Sequence, residues 1–231
     1  MSADEDSVPA SPDSLFDEPL ISPASLTAPP IPGLFFSPSL LLPIELADRV
    51  FTFCSERYFK RPGVNQVMLF GEEMIPAPLL DLLSALSPFL RPALPHGVHE
   101  LLFPAAPTMA RQAIVNLYNP GEGISSHVDL LGRYADGIVG VSLGSACVMH
   151  FTRTSSTMGE EQTADVFLPE RSVIVLSGEA RYKWAHGIER RFEDVVNGEN
   201  ASVVSVPRGL RISVTFRWLL PGADVVGEHE P

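Results

Sequence analysis

Short apolar runs alternate with polar breaks through the second half of the chain, which is the pattern of β-strands. The pattern predicts strands over 138–143, 146–151, 166–167 and 172–176, with a Gly-Ser turn joining the first two. Near the C-terminus, RISVTFR places Ile212, Val214 and Phe216 on one side of a strand, because side chains alternate with period two. The second half is therefore predicted to be mainly β.

The first half mixes helical and extended patterns. A strand is predicted over 33–41, and a helix over 43–57 opens at Pro43 and carries apolar residues at helical spacing. A second strand is predicted over 66–70, and a helix over 78–90 is weakened near Pro88. His96 and His99 flank a proline-rich loop and are expected to be exposed, and residues 189–207 show no clear period.

The 231 residues, 45% of them hydrophobic, suit one globular domain with tails. Residues 1–31 are acidic and rich in Ser and Pro, so they are predicted to be a disordered tail, as are residues 220–231. The domain is expected over 32–219, and no apolar run is long enough to span a membrane. Two cysteines without a disulfide or metal spacing, and an N-terminus without a targeting pattern, predict a cytoplasmic or nuclear protein.

The net charge of −12 is unevenly distributed. Residues 1–44 and 219–231 carry nine acidic residues and no basic one, which leaves 19 acidic against 16 basic residues in the body. A body at −3 lacks the basic footprint of a tight DNA or RNA binder. This charge counts against strong binding of unmodified nucleic acid.

The segment NLYNPGEGISSHVD, residues 116–129, carries the first candidate chemistry. A strand there would project His127 and Asp129 from one face, so that both could bind one metal ion. His186 in AHGI would complete two histidines and one carboxylate, the facial set that holds non-haem Fe(II) and leaves positions open for an oxoacid and O2. Taken alone, a His-x-Asp pair is more often a surface turn.

The strand predicted at 211–217 favours the metal site over a surface turn. Arg211, Ser213, Thr215 and Arg217 share the face opposite its apolar residues. Two arginines on a face that a globular strand normally buries require anions, and a dicarboxylate supplies two that match the guanidinium fork. The metal set and the arginine strand together predict an iron site with a dicarboxylate co-substrate.

These motifs, NxYxPGxGIxxHxD, SLGS, HGI and RxSxTxR, occur in an order that resembles the AlkB-like Fe(II)/2-oxoglutarate dioxygenases. IVGVSLGSACVMHF, LPERSVIVLSGEARYKWAHGI and PRGLRISVTFRW are most similar to the oxygenase domain of the homologues that hydroxylate a modified wobble uridine in tRNA. The resemblance implies a double-stranded β-helix, or jelly roll, with N-terminal helices. It also implies Fe(2+) and 2-oxoglutarate as cofactors, with His127, Asp129 and His186 as the iron ligands.

The resemblance also assigns the remaining site residues. Arg211 would pair with the C5 carboxylate of 2-oxoglutarate, and Arg217 with the C1 carboxylate or with Asp129. Asn116, Tyr118 and Ser213 match positions that contact the co-substrate, although a core tyrosine is an equal alternative for Tyr118.

Substrate contacts are expected from Arg133 and Tyr134 and from a lid over residues 65–73, for which a plain edge hairpin is the alternative. Leu131 departs from the pattern, because the bacterial repair enzyme has an acid there that reads the damaged base. The expected substrate is therefore a modified tRNA wobble uridine, with O2 as co-substrate. A non-nucleic substrate such as protein, and repair demethylation of DNA or RNA, remain alternatives. Because the sequence contains no methyltransferase domain of the kind animal members carry, a separate tRNA methyltransferase is expected as a partner.

Overall fold

Twelve strands and four helices make up the fold of the residues described by the computed structural model, 22–154, 162–198 and 202–223. The helices are α1 (Ile44–Tyr58), α2 (Ala77–Leu90), α3 (His96–Leu102) and α4 (Gly178–Tyr182), with a 3₁₀ turn at Glu72–Met74. The strands are β1 (Leu34–Leu41), β2 (Gln66–Phe70), β3 (Arg111–Tyr118), β4 (Ile124–His127), β5 (Tyr134–Leu143), β6 (Cys147–Arg153), β7 (Thr163–Leu168), β8 (Ser172–Leu176), β9 (Trp184–Ile188), β10 (Glu193–Asn197), β11 (Val203–Pro207) and β12 (Arg211–Leu219).

The strands pair into a major sheet, a minor sheet and a hairpin, and every pairing is antiparallel. The major sheet has the order β1-β8-β5-β12-β3-β2, the minor sheet has the order β4-β9-β6-β7, and β10 pairs with β11. Residues of both sheets line one cavity between them. This arrangement confirms the predicted double-stranded β-helix.

The N-terminal helices cover the outer face of the major sheet. Ile212, Val214 and Phe216 of β12 are fully buried there, in one cluster with Leu79 and Leu82 of α2. The apolar face predicted for β12 therefore packs under helices, and burying each such side chain contributes about 1.5–3 kcal/mol. The opposite face of β12 is free to line the cavity.

Most predicted elements appear within one or two residues of their expected bounds, and β2 matches exactly the predicted range 66–70. Two strands are longer than predicted, because β5 begins at Tyr134 rather than at 138 and β7 begins at Thr163 rather than at 166. Two further segments differ in kind. The predicted loop around His96 is helix α3, in which His99 is buried and its Nε2 lies 2.9 Å from the carbonyl oxygen of Ser87. The region 189–207, without a visible period, contains the hairpin β10–β11.

His150 forms hydrogen bonds within the minor sheet. Its Nδ1 lies 2.7 Å from Oδ1 of Asp165, and its Nε2 lies 2.9 Å from the hydroxyl of Thr152. Its strand neighbour Met149 lines the cavity, so His150 projects from the other face of β6. His150 is therefore not among the residues that line the cavity.

The range predicted to be a disordered N-terminal tail, 1–31, includes residues that pack against the folded domain. Ala24 is buried and bridges Val196, and Ser25 bridges Val166. Packing of the domain therefore begins before Pro32, while residues 1–21 lie outside the described part. At the other end, the amide of Leu220 donates to the carbonyl of Arg133, and residues after 223 are not described. Within the described ranges, no helix is long and apolar enough to cross a membrane.

Candidate active site

The cavity between the sheets has a volume of about 430 Å³. Arg211, Ser213, Thr215 and Arg217 all face it, as their period-two spacing predicts. Strand β3 pairs with β12 so that Tyr118 lies opposite Arg211 and Asn116 opposite Ser213. The sequence-predicted co-substrate residues therefore lie side by side on one wall.

His127, Asp129 and His186 meet on the opposite wall. Each offers one ligand atom, and these atoms lie within 4.8 Å of one another. Nε2 of His186 is 3.6 Å from Oδ2 of Asp129, and the two imidazole centroids are 4.7 Å apart. The structure thus brings together the three residues predicted as metal ligands.

The pairing of β4 with β9 creates this cluster. His127 lies opposite His186 across the two strands. A Cβ at Gly187 would lie 2.8 Å from the backbone of Ser126, so only glycine in the HGI motif allows the strands to approach this closely. Strand β4 ends at His127, so Asp129 follows the strand rather than belonging to it. Its carboxylate nevertheless reaches the cluster.

Arg217 holds that carboxylate. Its Nη1 donates to Oδ1 of Asp129, which leaves Oδ2 toward His186. Its Nε donates to Oε1 of Gln112 at 2.6 Å, and its guanidinium lies 3.6 Å from the centroid of the Tyr134 ring. Burial lowers the pKa of Arg217 to about 10, so it remains a cation at neutral pH. Of the two roles expected for Arg217, the structure contains the contact with Asp129.

Arg211 has one buried N–H donor without a hydrogen-bond partner among the described residues. It is buried, its Nε donates to the hydroxyl of Ser142 at 2.8 Å, and it lies 5.2 Å from the centroid of the Tyr118 ring. Its Nη1 is also buried and has no hydrogen-bond partner among the described residues. Burial raises the pKa of Tyr118, while the charge of Arg211 opposes that shift, so the phenol is neutral and can donate. Such a buried, unpaired guanidinium nitrogen suits a carboxylate ligand.

His186 is in the protonation state that binds metal. Burial, together with nearby His127 and Arg181, lowers the pKa of His186 to about 3, so its imidazole is neutral at pH 7. Nδ1 of His127 lies 2.8 Å from the carbonyl oxygen of Ser125, a contact that leaves Nε2 for a ligand. Second-sphere contacts of this kind orient ligating histidines.

The residues predicted to contact substrate differ in position. Tyr134 is buried against Arg217, whereas Arg133 is half-buried and its guanidinium lies 5.5 Å from the centroid of the Phe70 ring. Both line the cavity. The segment proposed as a lid contains β2, the edge strand of the major sheet. Its Gln66 lines the cavity and donates to Oδ1 of Asn116 at 2.7 Å.

Three supporting residues were missed from the sequence. Gln112 lies on the same face of β3 as Asn116, so the period-two pattern could have found it. Ser142 is the first residue of the SLGS motif, near the end of β5, and its hydroxyl accepts from Nε of Arg211. Arg181, on α4, donates to the carbonyls of Asp129, Leu130, Tyr134 and Ala135, and no local pattern indicates this.

The site fits Fe(II) and 2-oxoglutarate. Two neutral histidines and one carboxylate are the donor set of non-haem Fe(II) oxygenases. The unpaired Nη1 of Arg211 suits the distal carboxylate of a dicarboxylate, and a cavity of about 430 Å³ is within the range of small-molecule sites. The residues present therefore match both groups.

Curated relatives confirm the AlkB-like resemblance. The chain is 31% identical over 213 residues to the alkylated DNA repair protein ALKBH8 homolog of Arabidopsis thaliana, covering 81% of this chain and 58% of the relative. It is 40% identical over 117 residues to tRNA (carboxymethyluridine(34)-5-O)-methyltransferase ALKBH8 of Macaca fascicularis, covering 46% and 17%. Uncharacterized protein L905 of Acanthamoeba polyphaga mimivirus is 40% identical over 106 residues, covering 46% and 47%. The chain thus spans between about a sixth and three fifths of the length of these relatives.

A solved structure and a family model give the wider placement. The structure of OsALKBH1 superposes with a TM-score of 0.50 at 18% identity, covering 80% of this chain and 98% of that one, which supports the fold alone. The model of the 2OG-Fe(II) oxygenase superfamily matches residues 70–217, well over half of the chain. That match spans the metal cluster and the arginine strand. The chain belongs to the 2OG-Fe(II) oxygenase superfamily and is a 2-oxoglutarate-dependent dioxygenase that uses Fe(2+).

Proposed function

We propose that this dioxygenase oxidises a modified nucleotide in RNA, and that its substrate is a 5-substituted uridine at the wobble position of tRNA. The observation that carries the proposal is an apolar rim beside the metal cluster. Met68 and Leu130 line the cavity with exposed fractions of 45% and 62%, and Leu131 beside them is 57% exposed. Apolar side chains at a cavity mouth suit the flat face of a base rather than a cationic, N-methylated ring.

The names of several relatives support this choice. The macaque, mouse and Xenopus tropicalis relatives are named for a modification of uridine 34 of tRNA. Leu131 stands where the resemblance would place an acid in a repair enzyme. Neither Leu130 nor Leu131 has a carboxylate that could hydrogen-bond to a base edge. Because the body of the chain is close to neutral, its affinity for unmodified RNA should be weak and should depend only slightly on salt concentration.

The proposed roles follow from the geometry. His127, Asp129 and His186 would hold the iron, which supplies oxidative decarboxylation of 2-oxoglutarate to succinate and CO2, coupled to hydroxylation of a C–H bond by O2. Arg211 binds the distal carboxylate through its unpaired Nη1. Arg217 fixes the orientation of Asp129 by occupying Oδ1.

On the same wall, Tyr118, Asn116 and Ser213 are placed to hydrogen-bond the co-substrate. Arg133 and the rim would contact the base, while the buried Tyr134 supports Arg217 rather than the substrate. The proposal includes a cytoplasmic or nuclear location, which the two buried, free cysteines suit. It also includes a separate methyltransferase that forms the 5-substituent before oxidation.

The test offers two substrates to one preparation and follows product nucleosides by mass spectrometry. We expect turnover of an anticodon stem-loop bearing a 5-substituted wobble uridine and negligible turnover of N-methylated DNA bases. Repair of methylated DNA at an equal or higher rate would favour a repair demethylase, as the name of the Arabidopsis relative suggests. Succinate production without either nucleoside product would favour a protein or other non-nucleic substrate.

A further inference from the structure

Phe192 is the most exposed large apolar residue in the part of the chain that the structure describes, at 73%. An exposed aromatic ring presents a large, flat apolar surface that is available for stacking. The ring meets the protein at Gly121, in the turn between β3 and β4, where a Cβ would lie 2.8 Å from Cζ of Phe192. A side chain at position 121 would displace the ring, so the turn of the metal-binding motif is shaped around it.

A buried ion cluster fixes the backbone of Phe192. The amide of Arg208 donates to the carbonyl of Phe192 at 2.8 Å. The guanidinium of Arg208 binds both oxygens of Asp194, at 2.6 and 2.7 Å, and Asp194 also accepts from the amide of Val148. Asp194 and Arg208 are both buried, so the ring stands on a rigid support. An exposed ring on a rigid support is already organised for contact, which lowers the entropy cost of binding.

A polar groove of about 390 Å³ lies beside this ring and adjoins the active-site cavity. Gly121 and Arg190 line it, and it shares Gln66, Asn116 and Tyr118 with the active-site cavity. Arg190 is exposed and has no ion pair within the described ranges, whereas its neighbour Arg191 pairs with Glu189 and Asp194. The one acid of the groove, Glu122, accepts from the amide of Asn119 at 2.8 Å and from its side chain at 3.2 Å. The groove therefore offers a free cation beside an exposed aromatic ring.

We propose that Phe192 is a stacking platform for the base next to the target nucleotide, and that Arg190 faces the phosphate between them. This inference rests on the proposed RNA function and names a subsite for it. Single-stranded RNA is bound by stacking of unpaired bases on aromatic rings, which tolerates any base and needs few charges. Such binding suits a protein body that is close to neutral.

The test measures binding of a fluorescently labelled anticodon stem-loop RNA by anisotropy at low salt. Phe192→Ala should weaken binding by about 5- to 150-fold, the range found when a stacking aromatic is removed. Phe192→Trp should retain wild-type affinity, and Phe192→Leu should lose most of it. Arg190→Gln should reduce the slope of log affinity against log salt by about 0.7, the value for one phosphate of a single strand.

The matched control is Ile44→Ala, which removes an apolar side chain that is 54% exposed on α1, on the helical side of the major sheet. It should leave RNA affinity unchanged. Every variant should retain the thermal stabilisation given by 2-oxoglutarate, since none of the changed residues lines the co-substrate wall. If Phe192→Ala binds the RNA as tightly as the wild type, or if Phe192→Leu keeps full affinity, Phe192 is not a stacking platform. The proposed RNA function would be unaffected by that result. Failure of the wild-type protein to bind the stem-loop while it produces succinate would overturn the RNA function as well.

Discussion

Replacing Arg211 by Met separates binding of the co-substrate from stability of the fold. The wild-type guanidinium is buried, with Nε on Ser142 and Nη1 without a partner among the described residues. In the ligand-free protein this cation is desolvated without a compensating anion, so its loss should cost the fold little. In the proposed complex it would face the distal carboxylate of 2-oxoglutarate. The change should therefore weaken ligand binding much more than it destabilises the protein.

The size of the effect follows from the burial. Breaking a buried ion pair on one side costs about 3–5 kcal/mol, or about 140- to 3,700-fold in a dissociation constant. The cavity, at about 430 Å³, can admit water to the orphaned carboxylate, so we expect a value near the lower limit, about a hundredfold. At a 2-oxoglutarate concentration 100 times the wild-type Kd, stabilisation should then fall from about 2.7 to about 0.4 kcal/mol.

Calorimetry gives the dissociation constant, and thermal unfolding with and without 2-oxoglutarate gives the stabilisation. The matched control is Arg111→Met, because Arg111 is also 5% exposed but contacts the carbonyl of Leu102 and the ring of Trp218 instead of the cavity. The control should leave the Kd unchanged. A Kd for Arg211→Met within threefold of wild type, or an equal loss in Arg111→Met, would refute the assignment of Arg211.

Three further outcomes are expected. His127→Ala and Asp129→Ala should each abolish Fe(II)-dependent succinate production, and unchanged succinate in both would remove the iron assignment. The metal-free protein should lose stability as the pH falls from about 6.5 toward 3, by up to about 1.4 kcal/mol per pH unit, because His186 is protonated in the unfolded chain but stays neutral in the folded protein. Urea unfolding of His186→Gln should show a flatter dependence of stability on pH. A pH dependence identical to that of the wild type would refute the lowered pKa. Burial raises the pKa of Cys54 to about 12 and raises that of Cys147, so a thiol reagent at pH 8 should label neither until urea is added, and rapid labelling of native protein would contradict their burial.

The co-substrate wall could be predicted because it depends on local periodicity. Period two in β12 placed Arg211 and Arg217 opposite Phe216, and the structure confirms the two faces. The same rule placed Asn116 and Tyr118 together on β3. The pairing of β12 with β3, which sets these side chains next to each other, is seen only in the structure, because strand order is not encoded in any one segment.

Long-range partners could not be predicted. Arg181 holds the backbone after Asp129 from 52 residues away, and a helical turn gives no sign of the carbonyls it will meet. Asp194 and Arg208 stabilise a hairpin whose strands lack visible alternation, because the buried face of β10 combines Asp194 with Val196 and the valines Val203 and Val204 of β11 are exposed. His99 was expected in an exposed, proline-rich loop, whereas Pro95 is the N-cap residue of helix α3, which contains His99.

Labelled oxygen tests the central claim most directly. The protein is incubated under ¹⁸O₂ with Fe(II), 2-oxoglutarate and an anticodon stem-loop bearing a 5-substituted wobble uridine, and both products are analysed by mass spectrometry. A dioxygenase acting on this RNA places one labelled atom in succinate and one in the hydroxylated uridine. Label in succinate with no labelled nucleoside would contradict the RNA substrate, and unlabelled succinate would contradict dioxygenase chemistry itself.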